Sequence, residues 1–368
     1  VRAYFLTLAY WLAGSDDNVA NLVRYLVDRY AGGERAVLRG TLRYDAPAEY
    51  PEVGVYHPRM TGRISADAAR LPARRDAGGT VGLLVLRSYV LADNAAHYDG
   101  VIAALEAQGL NVIPAFSSGL DSRPAIESFF MRDGRSTIDA LVSLTGFSLV
   151  GGPAYNDARA AEEVLARLDV PYTAAHPVEF QTLDQWAQGE RGLMPVESTI
   201  MVAIPELDGA TDPMVFGGRV SSDSTAAGSA QCTGCARNCR FESAQARDMK
   251  PCAERAQMLA ARVGKLVALR RAPTAERKVA LVVFNFPPNA GNTGTAAHLS
   301  VFDSVFNTLH AMRDAGYTVD LPASADALRD HIIHGNAERY GALANVAAHI
   351  SADDHVRREP HLKEIEAQ

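Results

Sequence analysis

The chain has 368 residues, of which 48% are hydrophobic, 36 are Lys or Arg and 43 are Asp or Glu, giving a formal net charge of -7. That length and apolar content suffice for two or three hydrophobic cores. The acidic balance, with no dense Lys/Arg run, excludes the electrostatic footprint of a nucleic-acid binder.

Residues 1–31 predict two helices, with Tyr4, Leu8, Trp11 and Leu12 on one face of the first and Val19, Leu22, Val23, Leu26 and Val27 on the second. The apolar start has the look of a signal-peptide core, but it lacks an initiator Met and runs straight into Asp16-Asp17-Asn18, so a packed helix pair is expected. No apolar run reaches the length of a membrane span, which predicts a soluble, cytoplasmic protein and leaves room for peripheral membrane contact. Gly, Pro and Arg then punctuate residues 32–79, and His57, beside Pro58, reads as a surface-loop histidine.

Strands are predicted at Thr80–Tyr89, Leu110–Phe116, Asp139–Leu144 and Val170–Ala174, with helices at about 94–108, 123–132 and 156–168 between them. This alternation predicts an α/β fold: parallel sheets flanked by helices, with an N-terminal helical segment and a cysteine-bearing insertion. Ligands of such sheets sit beyond the carboxyl ends of the strands, here Ser88-Tyr89, Phe116-Ser117-Ser118-Gly119 and Thr145-Gly146-Phe147. After the loop His176-Pro177-Val178-Glu179-Phe180 and a helix around Trp186, the β-branched, alternating run Val196–Ile204 predicts a buried strand that carries Glu197 near its start. Pro205 and Asp208-Gly209 close it, setting Glu206 and Asp208 on the loop that leaves it, where Asp before Gly is ordinary turn chemistry.

Residues 221–246 break the pattern and hold Cys232, Cys235 and Cys239, with Cys252 just beyond. A Cys-x2-Cys-x3-Cys set plus a fourth thiol is enough for an all-thiolate iron–sulfur or zinc site, and the lack of a second CxxC knuckle tips the reading towards iron–sulfur. The competing reading is a set of unligated thiols on a loop. A basic helix at Ala253–Arg271, a strand at Lys278–Phe286, the loop Asn285–Thr295 and a helix over 296–315 follow. The loop has the air of a phosphate cradle, yet nothing in the chain matches GxxxxGK[ST], so nucleotide hydrolysis is not expected here. The expected organisation is an N-terminal segment at 1–79, an α/β domain at 80–219, a cysteine-rich insertion and helix at 220–277, and the start of a second α/β domain at 278–368.

Three words stand out: Gly192-Leu193-Met194-Pro195-Val196-Glu197-Ser198-Thr199-Ile200 with Ala203-Ile204-Pro205-Glu206-Leu207-Asp208-Gly209, then Val215-Phe216-Gly217-Gly218-Arg219, and Phe286-Pro287-Pro288-Asn289-Ala290-Gly291-Asn292-Thr293-Gly294-Thr295-Ala296-Ala297. On these the chain resembles the large, porphyrin-binding H-type subunits of magnesium chelatase, of the bacteriochlorophyll kind, which are related to the large subunits of cobaltochelatase. The resemblance covers essentially the whole chain and implies a piece of a longer subunit. It implies ATP-dependent insertion of Mg2+ into protoporphyrin IX in (bacterio)chlorophyll synthesis, with ATP hydrolysed by separate AAA+ partner subunits of the I and D type.

Metal insertion removes two pyrrole protons and strips water from a hard cation, work suited to carboxylates in a shaped cleft. Glu197 is the first catalytic and metal-delivery choice, set against the alternative of a half-buried acid paired with Arg219 or a backbone donor. Glu206 is the second catalytic choice, Asp208 and His298 are further candidate metal ligands, and Glu179 is placed to face the same cleft. The residues leave two other readings open: a cobaltochelatase subunit acting on a corrin-type ring, and a non-catalytic α/β binding module with a cysteine-held, redox-sensing cluster.

Overall fold

The computed structural model describes residues 1–72, 76–152, 155–220, 248–287, 290–336, 339, 346 and 348–367. They fall into two units, Val1–Arg271 and Ala272–Gln368.

In the first unit, helices α1 (Arg2–Ala13) and α2 (Asp16–Tyr30) form the expected pair; the Ser15 hydroxyl caps α2 by accepting the Asn18 N–H at 3.2 Å, and Asp16 and Asp17 face the positive end of the helix dipole. Besides two small two-stranded hairpins, Met131–Arg132 with Arg135–Ser136 and Gly151–Gly152 with Tyr155–Asn156, the unit has one large sheet built from β1 (Val53–Tyr56), β2 (Ile64–Ser65), β3 (Thr80–Leu84), β4 (Asn111–Ser117), β5 (Ala140–Ser143), β6 (Tyr172–Thr182), β7 (Thr211–Arg219) and β8 (Met249–Pro251). Their order is β8-β7-β6-β5-β3-β4-β1-β2. The five central strands run parallel, while β1, β2 and β8 close the edges antiparallel. Strand β3 lies between β4 and β5, so the chain winds away from it in both directions and opens a crevice at the carboxyl edge.

Helices cover both faces, as the near-continuous apolar runs of β3 and β5 require. In chain order they are α3 (Ala96–Ala107), α4 (Arg123–Phe129), α5 (Ala158–Leu168) and α6 (Ala253–Arg271). On one face α3 and α6 bury Val101, Ile102, Leu105, Leu259 and Val263 against Leu83 and Val142. On the other, α4 and α5 bury Ile126, Val164 and Leu168 against Leu84 and Leu141. Each fully buried Leu or Ile contributes about 1.5–3 kcal/mol relative to exposure. Strands β1 and β2, inside the expected segment 1–79, and β8 with α6, beyond residue 219, hydrogen-bond to or pack on this same sheet.

Two sequence expectations are corrected here. His57 is buried, not a surface-loop residue: its Nδ1 accepts the Arg59 N–H at 3.1 Å, which leaves the proton on Nε2, 3.2 Å from the Glu106 carboxylate on α3. The second unit carries α7 (Val301–Asp314) and α8 (Ala325–Ile333), but its described residues 277–285 form no strand, because among the described residues of the unit no neighbouring strand supplies the ladder.

Candidate functional site

The stretch expected as a strand at 196–204 is helical. Pro195–Glu197 is an α-helical turn, Ser198–Ala203 is π-helical and Ile204–Leu207 returns to α. Pro195 starts it, where a missing N–H costs nothing. Pro205 cannot donate into a regular ladder, and the π-helical turn just before it takes up that break. The buried positions are Glu197, Met201, Pro205 and Asp208, spaced by four, four and three, which is the period of a helix and not of a strand. Met201 packs over Gly146 and beside Pro177, so the helix lies across the carboxyl ends of β5 and β6.

Glu197 is 0% exposed. One carboxylate oxygen accepts the Phe180 N–H at 3.2 Å; the other accepts the Met194 N–H at 3.0 Å and the Gln181 side-chain amide at 2.6 Å. The acid caps its own helix and ties it to the end of β6. Its partners are thus backbone donors and a glutamine, in place of an arginine.

Arg219 lies instead beside Glu179 and Tyr89. The Tyr89 hydroxyl hydrogen-bonds Glu179, whose Oε1 is buried with no partner among the described residues, as is Arg219 Nε. Burial pushes the Glu179 carboxyl up; Tyr89 and Arg219 oppose that shift and nearby Glu197 adds to it. The Tyr89 phenol is raised by its own burial and by Glu179. Gly217 and Gly218, in the Phe-Gly-Gly-Arg word, let β7 be pressed from both sides: a Cβ on Gly218 would stand 2.6 Å from the Val178 carbonyl oxygen, and one on Gly217 2.5 Å from that of Lys250. That close packing sets Arg219 at the strand end.

Two histidines flank this cluster without hydrogen-bond partners on either ring nitrogen among the described residues. His97 stacks on Phe216 with centroids 5.8 Å apart and meets Tyr89 edge-on at 5.1 Å. His176 lies on β6. Burial depresses their pKa values to about 3 and about 4, so both are neutral imidazoles at neutral pH.

The other expected residues are dispersed. Asp208 is buried and its Oδ2 accepts the Leu149 N–H at 2.7 Å, so it joins helix to loop across the sheet edge and does not cap the local turn; burial raises its carboxyl. Glu206 is exposed to solvent on the same helical stretch. His298 belongs to the second unit, exposed and with a φ of 60°. Among the described residues no group of three or more His, Cys, Asp or Glu is placed to hold a metal ion. Cys252 is buried at the start of α6, its N–H bonded to the Phe216 carbonyl, while Cys232, Cys235 and Cys239 lie outside the described residues. No helix among the described residues is long and apolar enough to cross a membrane.

Sequence reasoning missed the grouping of Tyr89, Glu179 and Arg219. Tyr89 stands on the short helix Arg87–Leu91 that follows β3, Glu179 late in β6 and Arg219 at the end of β7, and their common lie near the carboxyl ends of the strands was the available signal.

The chain matches the CobN/Magnesium Chelatase family over residues 8–368. It is 54% identical over 368 residues to the H-type magnesium-chelatase subunit of Cereibacter sphaeroides and 51% identical over 369 residues to that of Rhodobacter capsulatus, covering 100% of this chain and 30% of each relative. Among solved structures it is similar to the catalytic subunit of cobaltochelatase from Mycobacterium tuberculosis, with a TM-score of 0.63 and 23% identity over 91% of this chain and 25% of that one, a likeness of fold.

Proposed function

The chain belongs to the CobN/magnesium chelatase family, and from that premise we propose that it is the section of a magnesium-inserting, ring-binding large subunit whose sheet edge faces the tetrapyrrole. The observation that carries this reading is the 54% identity with an H-type magnesium-chelatase subunit along the entire chain. The substrates are then Mg2+ and protoporphyrin IX. The ATP that drives insertion is hydrolysed on separate AAA+ subunits of the I and D type, in keeping with the absence of a GxxxxGK[ST] word from this chain.

Insertion breaks two pyrrole N–H bonds; each nitrogen keeps its electron pair to bind Mg2+, and two protons pass to bases. Glu206, exposed on the helix that crosses the carboxyl edge, is the acid able to meet a hydrated cation or a pyrrole N–H without losing existing partners. Glu179, beside Glu197, has an unpartnered oxygen and a carboxyl raised by burial, and serves as the second proton acceptor, oriented by Tyr89. Glu197 and Asp208 hold the helix that presents Glu206: both Glu197 oxygens are engaged by Phe180, Gln181 and Met194, and one Asp208 oxygen accepts the Leu149 N–H.

The test is turnover of the complete large subunit carrying this sequence, assayed with its ATPase partners on protoporphyrin IX and on a corrin-type ring. Glu206→Gln is expected to lower kcat about 100-fold with ring affinity retained. Unchanged turnover in that variant would remove the role given to Glu206, and metal insertion into the corrin-type ring alone would overturn the magnesium assignment.

A further inference from the structure

Glu197 draws two backbone N–H groups onto one carboxylate, and the residues that donate them, Phe180 and Met194, leave their apolar side chains 55% and 42% exposed. A fully buried acid spent on holding two exposed apolar residues is unusual, since an ionised carboxylate is removed from water only where strong donors meet it. Gln181 doubles the tie: its amide nitrogen reaches Glu197 at 2.6 Å and the Gly192 carbonyl at 3.1 Å, so the end of β6 and the loop before Pro195 are cross-linked at three points around one side chain. Val196, also exposed, continues the apolar rim on the helix, and the exposed cation Arg191 stands on the same loop.

We infer that Glu197 is a positioning residue that fixes Phe180 and Met194 as an apolar platform for one face of a planar tetrapyrrole, with Arg191 facing the ring's carboxylate edge. This rests on the reading under Proposed function and deepens it by naming where the ring lies. The chemistry of the occupant follows from the platform. An aromatic ring and a polarizable thioether suit a flat π-system, and a cation beside them suits a ring that bears carboxylates. Glu197 itself touches neither ring nor metal; it acts through the two residues it holds.

Protoporphyrin IX binding to the complete large subunit, read by quenching of porphyrin fluorescence, tests this alongside steady-state insertion with the ATPase subunits. Phe180→Ala and Met194→Ala alter side chains that carry little of the fold, and each is expected to weaken the ring Kd about tenfold and raise KM with kcat at saturation unchanged, whereas Phe180→Leu restores most of the affinity. Glu197→Gln places an amide NH2 against an N–H donor and is expected to reproduce the raised KM. Wild-type affinity in both alanine variants would overturn the platform and leave the proposed function standing. A fall in kcat with unchanged ring affinity in Glu197→Gln would overturn the positioning role in favour of direct proton transfer. A wild-type subunit that binds no protoporphyrin would sink both readings together.

Discussion

The units on either side of Arg271 use similar sequence patterns and end differently. Up to Arg271, apolar runs such as Thr80–Leu84 and Ala140–Ser143 each find two parallel neighbours, and their side chains disappear beneath α3, α4, α5 and α6. Beyond it, Lys278–Phe286 carries an equally apolar run, yet Val282 is 95% exposed, Phe284 and Phe286 are exposed too, and Leu328 is the one buried apolar side chain among the described residues. A strand-like pattern is an offer of pairing. It becomes a strand where a neighbour supplies hydrogen bonds and a face to bury, and stays an extended segment where none does.

The largest expected contrast comes from truncating one residue in each run. Leu83→Ala, deep in the first core, is expected to cost about 3–4 kcal/mol in urea unfolding of the 368-residue chain. Val282→Ala is expected to stay within about 0.5 kcal/mol. Similar losses at both sites would mean that 278–286 is packed in solution, and the contrast between the units would fail.

Acid sharpens the comparison with a smaller effect. His97 and His176 are neutral in both the folded and unfolded states above about pH 6.5; below that the unfolded chain takes up protons that the folded sheet, with pKa values of about 3 and about 4, refuses. Stability of the first unit should therefore fall as pH drops from about 6.5, by about 2 kcal/mol per histidine at pH 5. His97→Phe, which keeps a ring against Phe216, should reduce the loss of stability between pH 7 and pH 5 by that histidine's share, about 2 kcal/mol. A pH dependence unchanged in that variant would place the acid sensitivity elsewhere.

Much of the first unit is legible in the sequence because its strands are buried on both faces and its helices carry their own boundaries; Ala253–Arg271 can be read to the residue. What escapes depends on partners distant in sequence. His57 has the pattern of a loop residue because Glu106, which pairs with it, stands 49 positions away. Val196–Ile204 alternates well enough to pass for a strand, and the spacing of Glu197, Met201, Pro205 and Asp208, with Pro195 at the first helical position, is the weaker but correct signal. The acids are legible as a group but not by role: only the folded arrangement shows that both oxygens of Glu197 and one of Asp208 accept backbone N–H groups, while Glu206 stands exposed and one oxygen of Glu179 is buried without a partner among the described residues. The family words are readable from side chains alone, and Gly217 and Gly218 among them have a packing reason in the close approach of β6 and β8.

The most direct test is a hydrogen-exchange footprint of protoporphyrin IX on the complete large subunit. Slowed exchange is expected across residues 178–207, spanning the end of β6, the loop before Pro195 and the helix that follows. A footprint that leaves those amides untouched while protecting other parts of the subunit would contradict a ring seated at this sheet edge.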